Sequence, residues 1–305
     1  MQFRSFNTKK IINYIEPNIR SLCIVLILSL ICSSCTVSIL SADTTDTHRN
    51  WAPISIMQWN IGHFSNGEKP YSTISNDSFN QIISSYKDLL NLSNADIISI
   101  NEYSVLISNT NTHRGCLTDT LLFSSYSYKY IGNNGVIRHY SLNALFSTLS
   151  FSNASTNEYE TNKNARITHT NAISAQDYYY ISSRTDLFGN STLIVSTHLA
   201  FDANNPDLAI QQIKELISVC ENEKYVIICG DFNTSATSFE LFSAAGYEMA
   251  NHSSLGDIAT FPATNPTKPL DNIITKGFKI TNPRVLLTDL SDHLPLLCDI
   301  IPYEQ

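Results

Sequence analysis

Short apolar runs that alternate with helical patterns constrain the fold of this chain of 305 residues more than any other feature. Runs typical of strands occupy residues 54–60, 95–100, 143–147, 178–182, 191–196, 225–229, 271–275, 284–289 and a last segment that reaches 301. Helical spacing predicts helices over 79–90, with Asp77 as the N-cap, over 209–220, with Pro206 in the first turn, and over a short segment ending near Gly246. Strands dominate, and this order predicts an α/β fold whose sheets pack face to face in two or four layers.

Polar residues follow these apolar runs at several separate places. They are Asn60, Glu102, His198, Asp231 and Asn233. Taken alone, each is more typical of a turn, a solvated loop or a hydrogen-bonded core histidine than of a functional site. Strand ends that face one way can nevertheless bring such side chains to one mouth of a sheet, where sites commonly form.

Together with Asp292, these residues supply carboxylate and amide oxygens, which are hard ligands suited to Mg²⁺ or Mn²⁺. His198 and His293 can transfer protons near neutral pH, and Asp271 could orient one of them. This inventory suits hydrolysis of a phosphate ester, which needs charge stabilisation on the phosphoryl oxygens and an activated water. The cysteines are not placed as zinc ligands, and those after the leader are interpreted as small core residues.

Seven segments resemble, in order, the motifs of the endonuclease/exonuclease/phosphatase superfamily (the DNase I-like proteins). They are Met-Gln-Trp-Asn-Ile at 57–61, the segment at 96–102 ending in Glu102, Asn-Ala-Leu-Phe-Ser at 143–147, Ser-Thr-His-Leu at 196–199, Gly-Asp-Phe-Asn at 230–233, Leu-Asp-Asn-Ile at 270–273 and Ser-Asp-His at 291–293. The chain departs from the family pattern at Asn101, Leu142 and Asn272, where the family has Gln, Gly and Tyr. The resemblance covers residues 54–301.

The resemblance implies a four-layer α/β sandwich of two packed β-sheets flanked by helices, with divalent-metal phosphoesterase chemistry. Glu102 would bind Mg²⁺ or Mn²⁺ together with Asn60 and Asp292. His293, held by Asp271, would be the general base or the imidazole that contacts the phosphate. Asp231 and Asn233 would position or activate the water and contact the phosphate. His198 would contact the phosphate or help the leaving group, and Asn143 would lie on the phosphate side. The division of base and acid between His293 and Asp231 stays open.

An uncharged apolar segment follows basic residues near the N-terminus, which is the layout of a signal peptide. Ser33-Ser34-Cys35 resembles a lipoprotein box, so residues 1–35 are expected to be an export leader that leaves Cys35 lipidated. An uncleaved membrane anchor is the alternative, since the run is just long enough to span a bilayer. Residues 36–52 are then a linker, residues 53–305 one folded domain, and the protein a monomer in the cell envelope or secreted.

The net charge of −8 gives no general attraction to nucleic acid, although a bound metal can reverse the sign locally. A nuclease and a phosphatase or phospholipase acting on lipid or small phosphates therefore both remain as hypotheses. A third class is a non-catalytic binding protein with the same fold. The complete set of site residues disfavours this last hypothesis.

Overall fold

The computed structural model describes residues 51–64, 76–107, 113–114, 125–128, 138–164, 178–201, 204–234, 236–251 and 256–303, all within the unit Asn50–Gln305. The leader predicted at 1–35 and the linker up to residue 50 lie outside these residues. Within the described part, no helix is long and apolar enough to cross a membrane.

Thirteen strands lie in the described part of the chain. They are β1 Ile54–Asn60, β2 Ile97–Ile107, β3 His113–Arg114, β4 Ser125–Tyr128, β5 Arg138–Ser147, β6 Ser152–Glu158, β7 Tyr179–Leu187, β8 Asn190–His198, β9 Val226–Asp231, β10 Glu248–Met249, β11 Asp271–Lys276, β12 Phe278–Val285 and β13 Leu296–Pro302. The α-helices are α1 Asn76–Ser93, α2 Asp207–Val219 and α3 Glu240–Ala244, and single 3-10 turns lie at Gly62–Phe64, Glu160–Asn164 and Ala236–Phe239.

The described strands form two mixed sheets. The first has seven strands in the order β12-β13-β1-β2-β5-β4, with β3 paired to β2, and the second has six in the order β10-β11-β9-β8-β7-β6. Parallel pairing joins β1 to β2 and β8 to β9, whereas the other described pairs are antiparallel. Each parallel connection carries a helix, α1 between β1 and β2 and α2 between β8 and β9, as parallel pairing requires.

Alternation along the strands divides the core into three apolar clusters. On β9, Ile227 and Cys229 face the first sheet, while Val226 and Ile228 face α2 and α3. On β1, Ile56 packs between the sheets, and Trp59 packs on the side of α1. The layers are therefore helix, sheet, sheet and helix, which confirms the predicted four-layer α/β sandwich.

The predicted elements agree with the structure at most of the predicted strands and differ elsewhere. The strand predicted at 284–289 is wrong, because β12 ends at Val285. Of the leucines that suggested it, Leu286 packs against the first sheet from a loop, and Leu287 is exposed. Strands β6 and β10 had no predicted counterpart. Asp77 lies inside α1 rather than before it, since the helix begins at Asn76. The segment 103–142, which had no predicted structure, contains the end of β2, β3, β4 and the start of β5.

Candidate functional site

The strand register brings the polar ends of the predicted strands together. In the parallel pair β1–β2, Asn60 lies opposite Asn101, next to Glu102. In the second sheet, Asp231 lies between His198 on β8 and Asp271 on β11. Asn60, His198, Asp231 and Asp271 each end or begin a strand, so their side chains collect at one edge of the two sheets. Glu102, which was predicted to follow a strand, lies within β2 instead, at the register irregularity between Ile100 and Tyr103.

Asn60 connects the two sheets at this edge. Its Nδ2 donates to Glu102 Oε1 (3.2 Å) and to Asp231 Oδ2 (3.0 Å), and its Oδ1 accepts from the Gly62 N–H (3.0 Å). The amide nitrogen therefore faces both carboxylates, as the charges require. This orientation favours a positioning role for Asn60, and its predicted metal-binding role stays a prediction.

His293 lies between two buried carboxylates. Its Nδ1 is 2.8 Å from Asp271 Oδ2, and its Nε2 is 3.6 Å from Asp231 Oδ2. Burial lowers the pKa of His293, but the charges of Asp271 and Asp231 outweigh this and raise it to about 10. The predicted pairing of Asp271 with His293 is present in the structure, and it leaves His293 an imidazolium at neutral pH.

Burial also raises the pKa of the Asp231 carboxyl, and the neighbouring His293 opposes only part of this rise. Asp231 Oδ1 accepts from the Asn233 backbone N–H (3.0 Å), so one oxygen is fixed and the other faces the imidazoles. A buried carboxylate with a raised pKa is better suited to accept a proton near neutral pH than an exposed one.

The Ser291–His293 loop is fixed against the end of β1. Ser291 Oγ donates to the Asn60 carbonyl (2.7 Å), and the His293 N–H donates to Ser291 Oγ (3.2 Å). Trp59 Nε1 donates to the His293 carbonyl (2.9 Å), and the Phe261 ring lies 4.8 Å from the imidazole, measured between ring centroids. Several contacts outside the predicted set therefore fix the position of His293.

His198 and Asn233 form a pair beside Asp231. Asn233 Nδ2 donates to the Leu199 carbonyl (3.0 Å) and lies 2.9 Å from His198 Nε2. His198 Nε2 is also 3.7 Å from Asp231 Oδ2, and the Tyr178 ring packs edge-on against the imidazole. His198 therefore approaches the Asp231 oxygen to which Asn60 donates, and the Asn233 backbone contacts the other oxygen.

Asn101, which sequence reasoning noted only as a departure from the family pattern, uses its whole amide group. Its Oδ1 accepts from Gln58 Nε2 (2.7 Å) and from the Asp231 N–H (2.8 Å). Its Nδ2 donates to Asn143 Oδ1 (2.9 Å) and to the Thr197 carbonyl (2.9 Å). Asn101 thus joins β2 of the first sheet to β8 and β9 of the second.

Asn143 is buried behind the site. Its Nδ2 donates to the Tyr179 carbonyl (3.0 Å), and its backbone N–H donates to the Tyr179 hydroxyl (2.8 Å). With Oδ1 also used by Asn101, the side chain is committed to protein partners. This favours a supporting role, and the predicted phosphate contact of Asn143 stays a prediction.

Gly230 explains why the Gly-Asp-Phe-Asn segment begins with glycine. A Cβ at this position would lie 2.3 Å from the Thr197 carbonyl oxygen on β8. Close approach of β8 and β9 therefore excludes a side chain here.

His63 is a site residue that sequence reasoning missed. Its Nε2 lies 3.0 Å from Glu102 Oε2, and the charge of Asp292 acts on it as well. Burial raises the pKa of Glu102, but His63 outweighs this, so the Glu102 pKa lies below its ordinary value. The sequence signal available was a histidine three positions after Asn60.

Asp292 is half-buried, and its charge raises the pKa of both His63 and His293. Its predicted metal-binding role stays a prediction. The two histidines predicted as catalytic, His198 and His293, place Nε2 3.7 Å and 3.6 Å from Asp231 Oδ2.

The family model described as "Endonuclease/Exonuclease/phosphatase family" matches residues 57–293, from the strand that carries Asn60 to His293. The chain belongs to this endonuclease/exonuclease/phosphatase family. Membership connects the site to hydrolysis of phosphate esters. A search of curated protein sequences gave no match.

Solved structures of this family share the fold at low sequence identity. Humanized TDP2 of D. rerio superposes with a TM-score of 0.57 at 14% identity, covering 82% of this chain and 99% of that one. A family protein from Leptotrichia buccalis gives a TM-score of 0.57 at 15% identity, covering 81% and 99%. The human Nocturnin catalytic domain gives 0.55 at 20% identity, covering 82% and 94%.

Proposed function

We propose that the protein is a divalent-metal-dependent phosphoesterase in which Asp231 joins the residues that would bind the metal to the residues that would transfer protons. The observation that carries the proposal is the bridge made by Asn60, which donates to both Glu102 and Asp231. Through Asp231 the bridge continues to His293 and Asp271. Metal ligand candidates and acid–base groups therefore belong to one connected network.

The chain's own residues fit a Mg²⁺ or Mn²⁺ ion on the Glu102 side of this network. Glu102 and Asp292 are hard oxygen donors, and the Glu102 side chain keeps 26% exposure, so an ion can reach it. When bound, such an ion would neutralise charge on the phosphoryl oxygens and lower the pKa of a bound water.

A second group of possible ligands, Asp231, Asp271 and His293, has its ligand atoms within 4.8 Å of one another. We propose that the ion binds with Glu102 instead, because both carboxylates of that group lie in the buried interior, whereas the Glu102 side chain keeps 26% exposure.

The pKa directions support one division of the acid and base roles that the sequence left open. His293, as an imidazolium, would stabilise negative charge on a phosphoryl oxygen through its Nε2 N–H. Asp231 would accept the proton of the attacking water. His198 and Asn233, which lie beside Asp231, would contact the remaining phosphate oxygens.

The substrate class proposed is a phosphate ester, either nucleic acid or a lipid or small-molecule phosphate. Among the structures with this fold, D. rerio TDP2 is complexed with a single strand DNA product, and the Nocturnin domain carries a sulfate anion. Those ligands make single-stranded DNA and small phosphates the first substrates to test here.

The test is hydrolysis by the full chain at fixed Mg²⁺, with and without EDTA. Substrates are single-stranded DNA, RNA, a nucleotide monoester, a phosphoinositide and sphingomyelin. Glu102→Gln and His293→Gln should each lower the rate by roughly 10²-fold or more. Glu221→Gln is the matched control, since this exposed carboxylate lies at the opposite end of β9 from Asp231. A hydrolysis rate that neither EDTA nor either site substitution changes would disprove the proposal.

We further propose export to the cell envelope, on the sequence of the leader alone. Incorporation of labelled palmitate by the full chain and its Cys35→Ala variant tests lipidation. A lipoprotein takes up label that the Cys35→Ala variant loses, whereas an uncleaved anchor without lipid takes up none.

A further inference from the structure

His63 is held in a fixed position by the turn that follows β1. Gly62, His63 and Phe64 all have positive φ angles, of 54°, 56° and 59°. The Gly62 N–H donates to Asn60 Oδ1, and the Phe64 N–H donates to the Ile61 carbonyl (3.1 Å). Non-glycine residues with positive φ are uncommon and cluster at functional sites.

The residue after His63 anchors this turn in the core. Phe64 is buried, and its ring packs edge-on against Tyr86 at 4.9 Å and Tyr103 at 5.6 Å between centroids. His63 itself stays 35% exposed at the mouth of the site. The buried Phe64 therefore fixes the turn that carries His63, whose imidazole is partly exposed beside Glu102.

The spacing of His63 and Glu102 equals that of two neighbouring metal ligands. Adjacent ligands of an octahedral ion at about 2.1 Å lie roughly 3.0 Å from each other. The His63 Nε2 to Glu102 Oε2 distance is 3.0 Å. Glu102 Oε1 accepts from Asn60, and Oε2 is paired with His63 Nε2. An ion bound between Oε2 and Nε2 would therefore take the place of the proton that His63 donates to Glu102, and that proton would leave to solvent.

We propose that His63 supplies a nitrogen ligand to the divalent ion that Glu102 binds, an inference that rests on the metal dependence proposed above. A site with one imidazole among oxygen donors favours Mn²⁺ and the later transition ions over Mg²⁺, which retains water and carboxylate ligands. The protein ligands would then include His63 and Glu102.

Electron spin-echo spectroscopy of the Mn²⁺-loaded full chain tests this directly. The expected spectrum shows modulation from a directly bound ¹⁴N nucleus, which disappears in His63→Gln and persists in His198→Gln, the matched imidazole control. Wild-type protein that binds Mn²⁺ without ¹⁴N modulation overturns the His63 ligand but leaves the metal site standing. Wild-type protein that binds no Mn²⁺ overturns both proposals. Modulation that survives in His63→Gln also overturns the His63 ligand.

Binding calorimetry gives a second readout. Wild-type protein should bind Mn²⁺ roughly tenfold or more tightly than Mg²⁺, and His63→Gln should lose most of that preference. An unchanged Mn²⁺ to Mg²⁺ ratio in the variant would contradict the proposal. The wild-type spectrum and affinity ratio decide the question even if the variant is poorly folded.

Discussion

His293, buried between Asp271 and Asp231, should titrate far above an ordinary histidine, and Asp271→Asn should reverse most of that shift. Asp271 makes the largest contribution that raises the pKa of His293 to about 10. The substitution keeps a side chain of the same shape but removes the charge. Burial, which lowers the pKa of His293, then acts with less opposition.

The magnitude follows from the linkage between protonation and folding. Each pKa unit corresponds to about 1.4 kcal/mol, so a rise from 6.5 to about 10 amounts to roughly 4–5 kcal/mol of free energy of unfolding. Because the folded-state pKa is raised, this contribution is complete below pH 6.5 and disappears as the pH rises toward 10. The destabilisation caused by Asp271→Asn should therefore be largest near pH 6 and should shrink by several kcal/mol near pH 10.

Two measurements check this in EDTA, so that no metal contributes. NMR titration of labelled imidazole gives the pKa of His293 in both proteins, and urea unfolding at pH 6 and pH 9.5 gives the free energies. A wild-type midpoint near 6.5, or one that Asp271→Asn moves by less than about one unit, would refute the reasoning. Equal destabilisation at both pH values would refute the linkage argument.

Three further changes probe other parts of the site. Glu102→Gln should weaken Mn²⁺ binding at least about tenfold by calorimetry, and an unchanged affinity would mean that the ion binds to another group of residues. Asn101→Ala leaves the buried Asp231 N–H without its acceptor and should lower the free energy of unfolding by about 1–3 kcal/mol in urea, a loss that an exposed asparagine would not show. Gly230→Ala places a Cβ 2.3 Å from the Thr197 oxygen and should lower the melting temperature by several degrees, and a neutral effect would mean that β8 can move away.

Residues at the strand ends were predictable because a strand reveals its own boundary. The strand predicted at 54–60 has the same bounds as β1, and the strand predicted at 225–229 ends two residues before Asp231, the last residue of β9. Pairing then follows from the parallel register, which places His198 beside Asp231. The motif resemblance supplied the order of the segments and hence the four-layer architecture.

The contributions of His63 and Asn101 could not be predicted, for different physical reasons. His63 reaches Glu102 only because its backbone has a positive φ, and nothing in a single sequence specifies that conformation. Asn101 bonds to groups that lie between 42 and 130 positions away along the chain, so its role depends on how the sheets dock.

The strand misplaced at 284–289 has a similar origin. β12 is at the edge of its sheet, with an irregular register between Thr281 and Arg284. After Phe278, every side chain of β12 is half-buried or exposed, so its apolar alternation is weak, whereas the loop residues Leu286 and Leu290 contact the core.

The four hydrogen bonds of Asn101 also have a consequence for how the protein opens. The Asp231 amide proton is donated across the two sheets, so no fraying of a single strand exposes it to solvent. Its hydrogen exchange should report global unfolding rather than local motion. A folding intermediate with only one sheet formed would leave this amide unprotected and would lack the bridge that Asn60 makes between the sheets. Docking of the two sheets should therefore complete both the site and the cooperative fold in the same step.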